Sequence, residues 1–342
     1  MNLNIGIDIG AANIRMVVRE RGLVLDQSSA CAMKKGACIA TGDEAYSLLG
    51  REYASLEVAF PMAAGVISRE DALEAWLRYV IGQAASMGLA RVSRVLIAKP
   101  AMMRLSQAQR MAMLVMRAGA SSCAVMSCDL LAAIGSGMDI AASRASFIVD
   151  IGASHISATV AARSQIIARD YLNLGMDSAN GIIRRMIRNK YSLAVGPATA
   201  ETVKRSLATA LEKHISIKEQ VTGFDVTKGF PGIAQVDRQD IRDCVEPILG
   251  QVRELAMSVI DGCDSRIQAD ILEDGAYVSG GGAMLDGICE VLESATGVKF
   301  SRAENPLLSV ASGLEKVISS PDTYAGLLEA QQTIFDRRSP GR

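Results

Sequence analysis

The sequence predicts an α/β protein made of two related domains, and three observations carry that expectation. Its 342 residues exceed what one hydrophobic core usually organises. Apolar strand-like runs alternate with stretches of helical periodicity along the whole chain. The triplet Asp-Ile-Gly closes an apolar run twice, at 8–10 and again at 150–152, about one domain length apart, which reads as a duplication with one copy in each domain.

The first cycle opens with Asn4-Ile5-Gly6-Ile7-Asp8 as a buried strand, turns tightly at Gly10-Ala11-Ala12-Asn13 and returns through residues 14–18 as a hairpin. Helical periodicity follows at 70–87, 105–118 and 128–135, with a strand over 94–98 between the first two. The second cycle begins at Ser146-Phe147-Ile148-Val149-Asp150 and continues into a hairpin over 155–169. Helices are expected over 177–190, 199–207 and 238–263. A strand at 276–279 then runs through Gly280-Gly281-Gly282 into a helix starting near Met284. Glu304-Asn305-Pro306 precedes a last core helix, and the segments around Ser319-Ser320-Pro321 and 337–342 read as a loosely held tail.

Bulk properties exclude several classes. With 36 basic and 37 acidic residues the formal charge is −1, so no global field draws in nucleic acid, and no nucleic-acid partner is expected. No apolar run reaches the roughly 18 residues needed to span a bilayer. The start, Met1-Asn2-Leu3-Asn4, lacks the regions of a signal peptide, which predicts a cytoplasmic protein. Seven cysteines without a CxxC pair and two histidines without HxxxH spacing indicate neither a zinc site nor a disulfide framework.

A carboxylate at the end of a buried strand, followed by glycine in a tight turn, sets an acid beside backbone N–H groups able to face phosphate oxygens. Two such turns facing each other make a phosphate clamp, in which Asp8 and Asp150 hold Mg²⁺ through water, since that ion dehydrates reluctantly. A single turn of this kind also occurs at ordinary strand ends. The third element, Val278-Ser279-Gly280-Gly281-Gly282-Ala283, lets a flat base or ribose approach the backbone. Tight packing of helix on strand is the competing explanation for its glycines.

The stretch Gly6-Ile7-Asp8-Ile9-Gly10-Ala11-Ala12-Asn13 resembles the first phosphate motif of MreB, the rod-shape actin homologue of bacteria. Further segments resemble that family in the same order: Gly42-Asp43-Glu44-Ala45 with Leu49-Gly50-Arg51, Gly65-Val66-Ile67, Ile182-Ile183 through Arg188-Asn189-Lys190-Tyr191, Thr199-Ala200-Glu201-Thr202-Val203-Lys204, the glycine triplet, and Glu304-Asn305-Pro306-Leu307. The resemblance implies an actin-like, duplicated ribonuclease H-like two-domain fold with a nucleotide cleft between domains. Domain I would comprise 1–140 plus 308–342, and domain II 141–307. ATP or ADP with Mg²⁺ would lie on Ala11, Ala12 and Asn13, on Gly152, Ala153 and Ser154, and on Glu201, Lys204 and Gly280 to Ala283. Taken by itself, the Glu201/Lys204 pair, one helical turn apart, reads as a solvated surface ion pair. The implied function is a cytoskeletal filament of cell-shape or cell-wall organisation that assembles head-to-tail with itself. Cell-wall or division proteins and the inner membrane surface are its implied partners; Met87-Gly88-Leu89 with Arg91 and Arg94 is the stretch that could meet the membrane, although taken by itself it reads more readily as an ordinary, partly buried loop.

The sequence departs from the family pattern where hydrolysis is performed. The threonine after the first motif's glycine is Ala11, and the second motif's Gly-Gly-Gly-Thr-Thr-Glu reads Gly152-Ala153-Ser154-His155-Ile156-Ser157. The acid that positions water lies in a Glu-Glu-Pro segment of the family, which here is Ser127-Cys128-Asp129, with Cys128 at the acid's place. Asp129 and His155 are weak substitutes, so hydrolysis is expected to be slow or absent. A non-polymerising scaffold or pseudo-ATPase competes with the filament reading. A sugar or acetate kinase lacks an assignable substrate base here, and an Hsp70-like chaperone lacks chain for a peptide-binding domain.

Overall fold

The computed structural model describes residues 3–53, 55–89, 94–212, 217–330 and 334–336. Two main sheets carry the architecture. The first has six strands in the order Ile334–Asp336, Ser122–Ser127, Arg94–Lys99, Ile5–Ile9, Asn13–Val18, Gly22–Ser28. The second has five: Gln165–Leu172, Ile156–Ala162, Ser146–Ile151, Ala276–Ser279, Phe300–Arg302.

The two sheets are built alike at their centres. Ile5–Ile9 pairs antiparallel with Asn13–Val18 and parallel with Arg94–Lys99, and Ser146–Ile151 pairs antiparallel with Ile156–Ala162 and parallel with Ala276–Ser279. Both central strands are covered on two faces, which is why they read as unbroken apolar runs rather than alternating ones. The acid comes last but one in each, Asp8 opposite Arg15 and Asp150 opposite Ser157.

Helices cover these sheets with their apolar stripes. Glu70–Ala84 buries Leu73, Trp76, Leu77 and Val80, and the Trp76 indole N–H donates to the Ser29 carbonyl at 2.8 Å, so the largest side chain of the first core leaves no buried donor unpaired. In the second half the 24-residue helix Arg238–Asp261 buries ten side chains and starts at Asp237, whose carboxylate accepts from the Gln239 N–H. Replacing Asp237 by alanine removes that cap and is expected to lower the unfolding free energy by about 1 kcal/mol in a urea titration.

The helix Ser309–Ser319 returns to the first sheet and crosses Cys128–Gly135 at backbone contact. A Cβ on Gly313 would lie 1.9 Å from the Leu131 carbonyl oxygen, and one on Gly135 would lie 1.8 Å from that of Ser309. Around this crossing Leu130, Leu131, Ile134, Leu314 and Val317 join Ile148 and Ala161 of the second sheet in one buried cluster.

Several expectations are corrected. The helix after the glycine triplet does not start at Met284: Gly281–Met284 is a 3₁₀ turn, Leu285 is extended, and the α-helix runs Ile288–Thr296 behind Gly287 at φ +77°. The left-handed Gly287 cannot continue a helix through that point. The segment after Ser319 is not a loose tail throughout, because Ala325–Ala330 is helical, Leu327 and Leu328 are buried, and Ile334–Asp336 adds an antiparallel edge strand to Ser122–Ser127. Residues 337–342 lie outside the described residues. The Lys218–Asp225/Phe230–Asp237 hairpin and the Ser122–Ser127 strand were not expected from the sequence. The hairpin is solvated, leaving Phe230 and Ile233 exposed, and the strand Ser-Cys-Ala-Val-Met-Ser carries one β-branched residue.

Candidate functional site

Both acid-ended strands deliver their turns to one cleft of about 430 Å³, within the roughly 300–1,000 Å³ of ordinary ligand pockets. Asp8, Gly10, Ala11, Ala12 and Asn13 line it from the first sheet, and Asp150, Gly152, Ala153, Ser154 and His155 from the second. The two turns are built alike. The Gly10 N–H donates to the Asn13 carbonyl at 2.9 Å and the Gly152 N–H to the His155 carbonyl at 3.0 Å. A Cβ at either glycine would press on that same carbonyl oxygen, at 2.8 and 2.7 Å, so the turn itself requires glycine in both copies. A larger groove of about 640 Å³, lined by Ser136, Asn305, Lys316 and Tyr324 among others, holds none of the sequence-predicted site residues.

Both acids are buried, and burial raises the proton affinity of each. Burial pushes the Asp8 carboxyl up to about 6, with the Arg15 guanidinium opposing and the Asp150 charge adding. Burial likewise raises Asp150, against the pull of His155 and of Ser279, whose hydroxyl donates to Asp150 at 2.7 Å. Arg15 reaches Asp8 at 3.5 Å and Asp26 at 3.2 Å, so one cation is divided between two carboxylates. Two facing carboxylates with incomplete compensation form a donor set that suits a hydrated Mg²⁺ with its phosphates.

The glycine triplet divides its labour. Gly280 sits at φ +79°, and a Cβ there would meet the Ile151 carbonyl at 2.5 Å and the Asp150 carboxylate at 2.9 Å; a Cβ on Gly282 would meet the Ile151 side chain at 2.1 Å. Those two glycines answer to packing, which the sequence held as the competing explanation. Gly281 is the exposed one, and a Cβ there would make ordinary van der Waals contact. Ala283 is corrected as a wall residue: it is fully buried behind the turn, and Met284 and Leu285 face the cleft instead.

Glu201 and Lys204 both line the cleft, on the helix Pro197–Leu207, but they are not the solvated pair that spacing alone suggests. Lys204 is 6% exposed; its ammonium donates to the Met176 carbonyl at 2.9 Å and reaches Glu201 at 2.6 Å. Burial would raise the Glu201 carboxyl, yet the Lys204 charge and hydrogen bonds from Lys204 and Asn180 hold it below its ordinary range. Asp177, Arg205, Met284 and Leu285 complete a wall that the sequence left unassigned. Asp177 and Arg205 carried a signal, since each stands within four residues of a site residue or helix start.

The weak catalytic candidates separate. Asp129 is not on the cleft wall; it is fully buried, accepts from Thr159 at 2.7 Å and pairs with Arg169 at 3.1 Å. Burial works against its charge, and Arg169 with those hydrogen bonds wins, leaving its carboxyl lowered. His155 is on the wall, where burial lowers its pKa against the pull of Asp150 and favours the neutral ring. Cys128, also on the wall, faces His155 with 3.6 Å from Sγ to Nε2, and burial pushes its thiol pKa well up.

The proposed membrane loop is half-buried: Met87 and Leu89 pack on the first core, and Arg91 lies outside the described residues. No helix among the described residues is long and apolar enough to cross a membrane.

A duplicated α/β fold that brings two acid-ended strands and a glycine-rich turn to one cleft is the actin-like class. Solved structures share it: MreB5 of Spiroplasma citri bound to ADP superposes with a TM-score of 0.87 at 24% identity, covering 93% of this chain and 98% of that one. A structure described as the MamK double helical filament superposes at 0.75 with 17% identity, covering 92% and 97%. The chain belongs to the MreB/Mbl protein family, whose family model matches residues 2–325. Among relatives, the cell shape-determining protein Mbl of Bacillus subtilis is 27% identical over 93% of this chain and 96% of its own length. The cell shape-determining protein MreB of Escherichia coli K12 is 28% identical over 96% and 97%.

Proposed function

We propose that this chain is an ATP-binding, actin-like cytoskeletal protein of cell-shape or cell-wall organisation that polymerises head-to-tail and hydrolyses ATP slowly or not at all. One observation carries the reading: two copies of the same acid–glycine turn face each other across a single cleft. The turn amides would receive the phosphates, Asp8 and Asp150 the hydrated Mg²⁺, and Glu201, Lys204, Gly281, Met284 and Leu285 the nucleoside. In this reading residues 1–140 with 308–342 form domain I and 141–307 domain II. MreB5 solved with ADP and with AMPPNP supports nucleotide binding in the family, and the MamK filament supports assembly.

Slow hydrolysis follows from the wall. Phosphoryl transfer to water depends on orienting that water and on fixed charges around the phosphate. At the orienting position stands the Cys128 thiol, neutral at physiological pH, and the neighbouring acid Asp129 is locked to Arg169 behind the wall.

Nucleotide titration, pelleting and electron microscopy with and without ATP and Mg²⁺ test the proposal. Saturable ATP binding that needs Mg²⁺, filaments with ATP, and phosphate release well below that of active bacterial actins are expected. Absence of nucleotide binding would overturn the site, and persistent monomers at high concentration would favour the scaffold reading.

A further inference from the structure

We propose that Cys128, His155 and Asp150 form a three-ligand site for a thiophilic divalent cation of the zinc class, placed so that the ion bridges the two halves of the molecule. The ligand atoms of these three residues lie within 4.8 Å of one another. In a tetrahedral zinc site, bonds of about 2.3 Å to sulfur and 2.0–2.1 Å to nitrogen separate the two donors by roughly 3.5 Å. The Cys128 Sγ to His155 Nε2 distance is 3.6 Å, so this pair already stands at the required span. The Asp150 carboxylate, within 4.8 Å of both, is the third ligand once the donors close on an ion.

The residue types decide the kind of ion. Thiolate and imidazole select zinc-like ions over magnesium, whereas the Asp8/Asp150 pair alone suits magnesium. Asp150 brings its own support, the Ser279 hydroxyl at 2.7 Å, as carboxylate ligands in metal sites do. Three protein ligands leave a fourth position facing the cleft, open to water or to a phosphate oxygen.

The placement gives the site a consequence. Cys128 follows the Ser122–Ser127 strand of the first sheet, while Asp150 and His155 flank a turn of the second. An ion held by all three staples the cleft wall across the two sheets, and coordination displaces the thiol proton to solvent. The two departures from the family pattern, at Cys128 and at His155, fall 27 residues apart in sequence and against each other in space. Zinc binding in the absence of nucleotide does not depend on the nucleotide proposal; with Mg²⁺ and nucleotide present the two ions compete for Asp150, which both sites use.

Cobalt(II) titration of the full chain without nucleotide reads the site through its thiolate-to-metal charge-transfer absorption, and zinc competition against a chromophoric chelator gives affinity and stoichiometry. One equivalent is expected, with the band lost in Cys128→Ser and zinc affinity reduced at least 100-fold in Cys128→Ser and His155→Gln. Cys38→Ser, which alters a thiol remote from the cleft, should leave both unchanged. X-ray absorption of the zinc-loaded native chain should show one sulfur beside nitrogen and oxygen ligands, a result that stands even if a variant fails to fold. A band retained in Cys128→Ser, a band lost in Cys38→Ser, or a sulfur-free zinc shell would overturn the proposal. ATP binding measured on the same samples separates failure of this site from failure of the nucleotide reading.

Discussion

Gly313→Val is expected to lower the unfolding free energy by about 3 kcal/mol or more, at or beyond the upper end of ordinary overpacking costs. The atom that a Cβ at 313 would strike, 1.9 Å away, is the Leu131 backbone oxygen, so no rotamer change can relieve the contact. The helices 128–135 and 309–319 must separate, and the cluster of Leu130, Ile134, Leu314 and Val317 loses its packing as they do. Gly82→Ala supplies the contrast. Gly82 lies inside the helix Glu70–Ala84 with nothing within 4 Å of its added Cβ, so alanine there should stabilise by roughly 0.5–1 kcal/mol through helix propensity. Urea unfolding of both variants tests the pair. A Gly313→Val protein as stable as the native chain would mean that the crossing is not at backbone contact. Because Cys128 opens one of the two helices, the same variant should disturb the cleft wall.

What the sequence revealed and what it hid follow from the range of the interactions. The paired turns were legible because each is local: an apolar strand, an acid and a glycine within a few residues, repeated in Asp8-Ile9-Gly10 and Asp150-Ile151-Gly152. Long periodic helices were legible for the same reason. The Cys128/His155 contact was not, because cysteine and histidine ligand spacing is readable only when the residues share a helix or knuckle. Nor was the burial of Lys204, since its partner at Met176 lies 28 residues away and helical spacing to Glu201 looks the same on a wet surface. In the glycine triplet the residues were right and the reason divided: Gly280 and Gly282 serve contact with Ile151, which no local rule distinguishes from approach to a ligand. Ala283 is behind the turn and Met284 on the cleft because a 3₁₀ turn, not an α-helix, follows Gly280, and the change of pitch rotates the next side chains.

Lys204→Ala is expected to cost roughly 3 kcal/mol of stability, the lower end of what removing one member of a buried ion pair costs, because the Glu201 side chain remains 26% exposed and partly solvated. The ammonium serves three oxygens: Glu201 at 2.6 Å, the Met176 carbonyl at 2.9 Å and Asp177 at 3.7 Å. Its removal leaves a carboxylate pair with less compensation. The sign of the pH effect follows. Glu201 has a folded-state pKa below its unfolded value, so its stabilisation is present at neutral pH and is lost as pH falls through the carboxylate range. Burial raises the Asp177 carboxyl even with Lys204 opposing, so Asp177 protonates early in the same descent. The gap between native and variant stability should therefore be widest near neutrality and narrow on acidification; a gap that is flat with pH would sink the electrostatic account. Glu201→Gln combined with Lys204→Met removes both charges and should recover much of the lost stability. ATP binding in that double variant then distinguishes two roles for the pair. Recovery of binding along with stability means the pair only shapes the wall, whereas a stable protein that no longer binds ATP means these side chains touch the nucleotide.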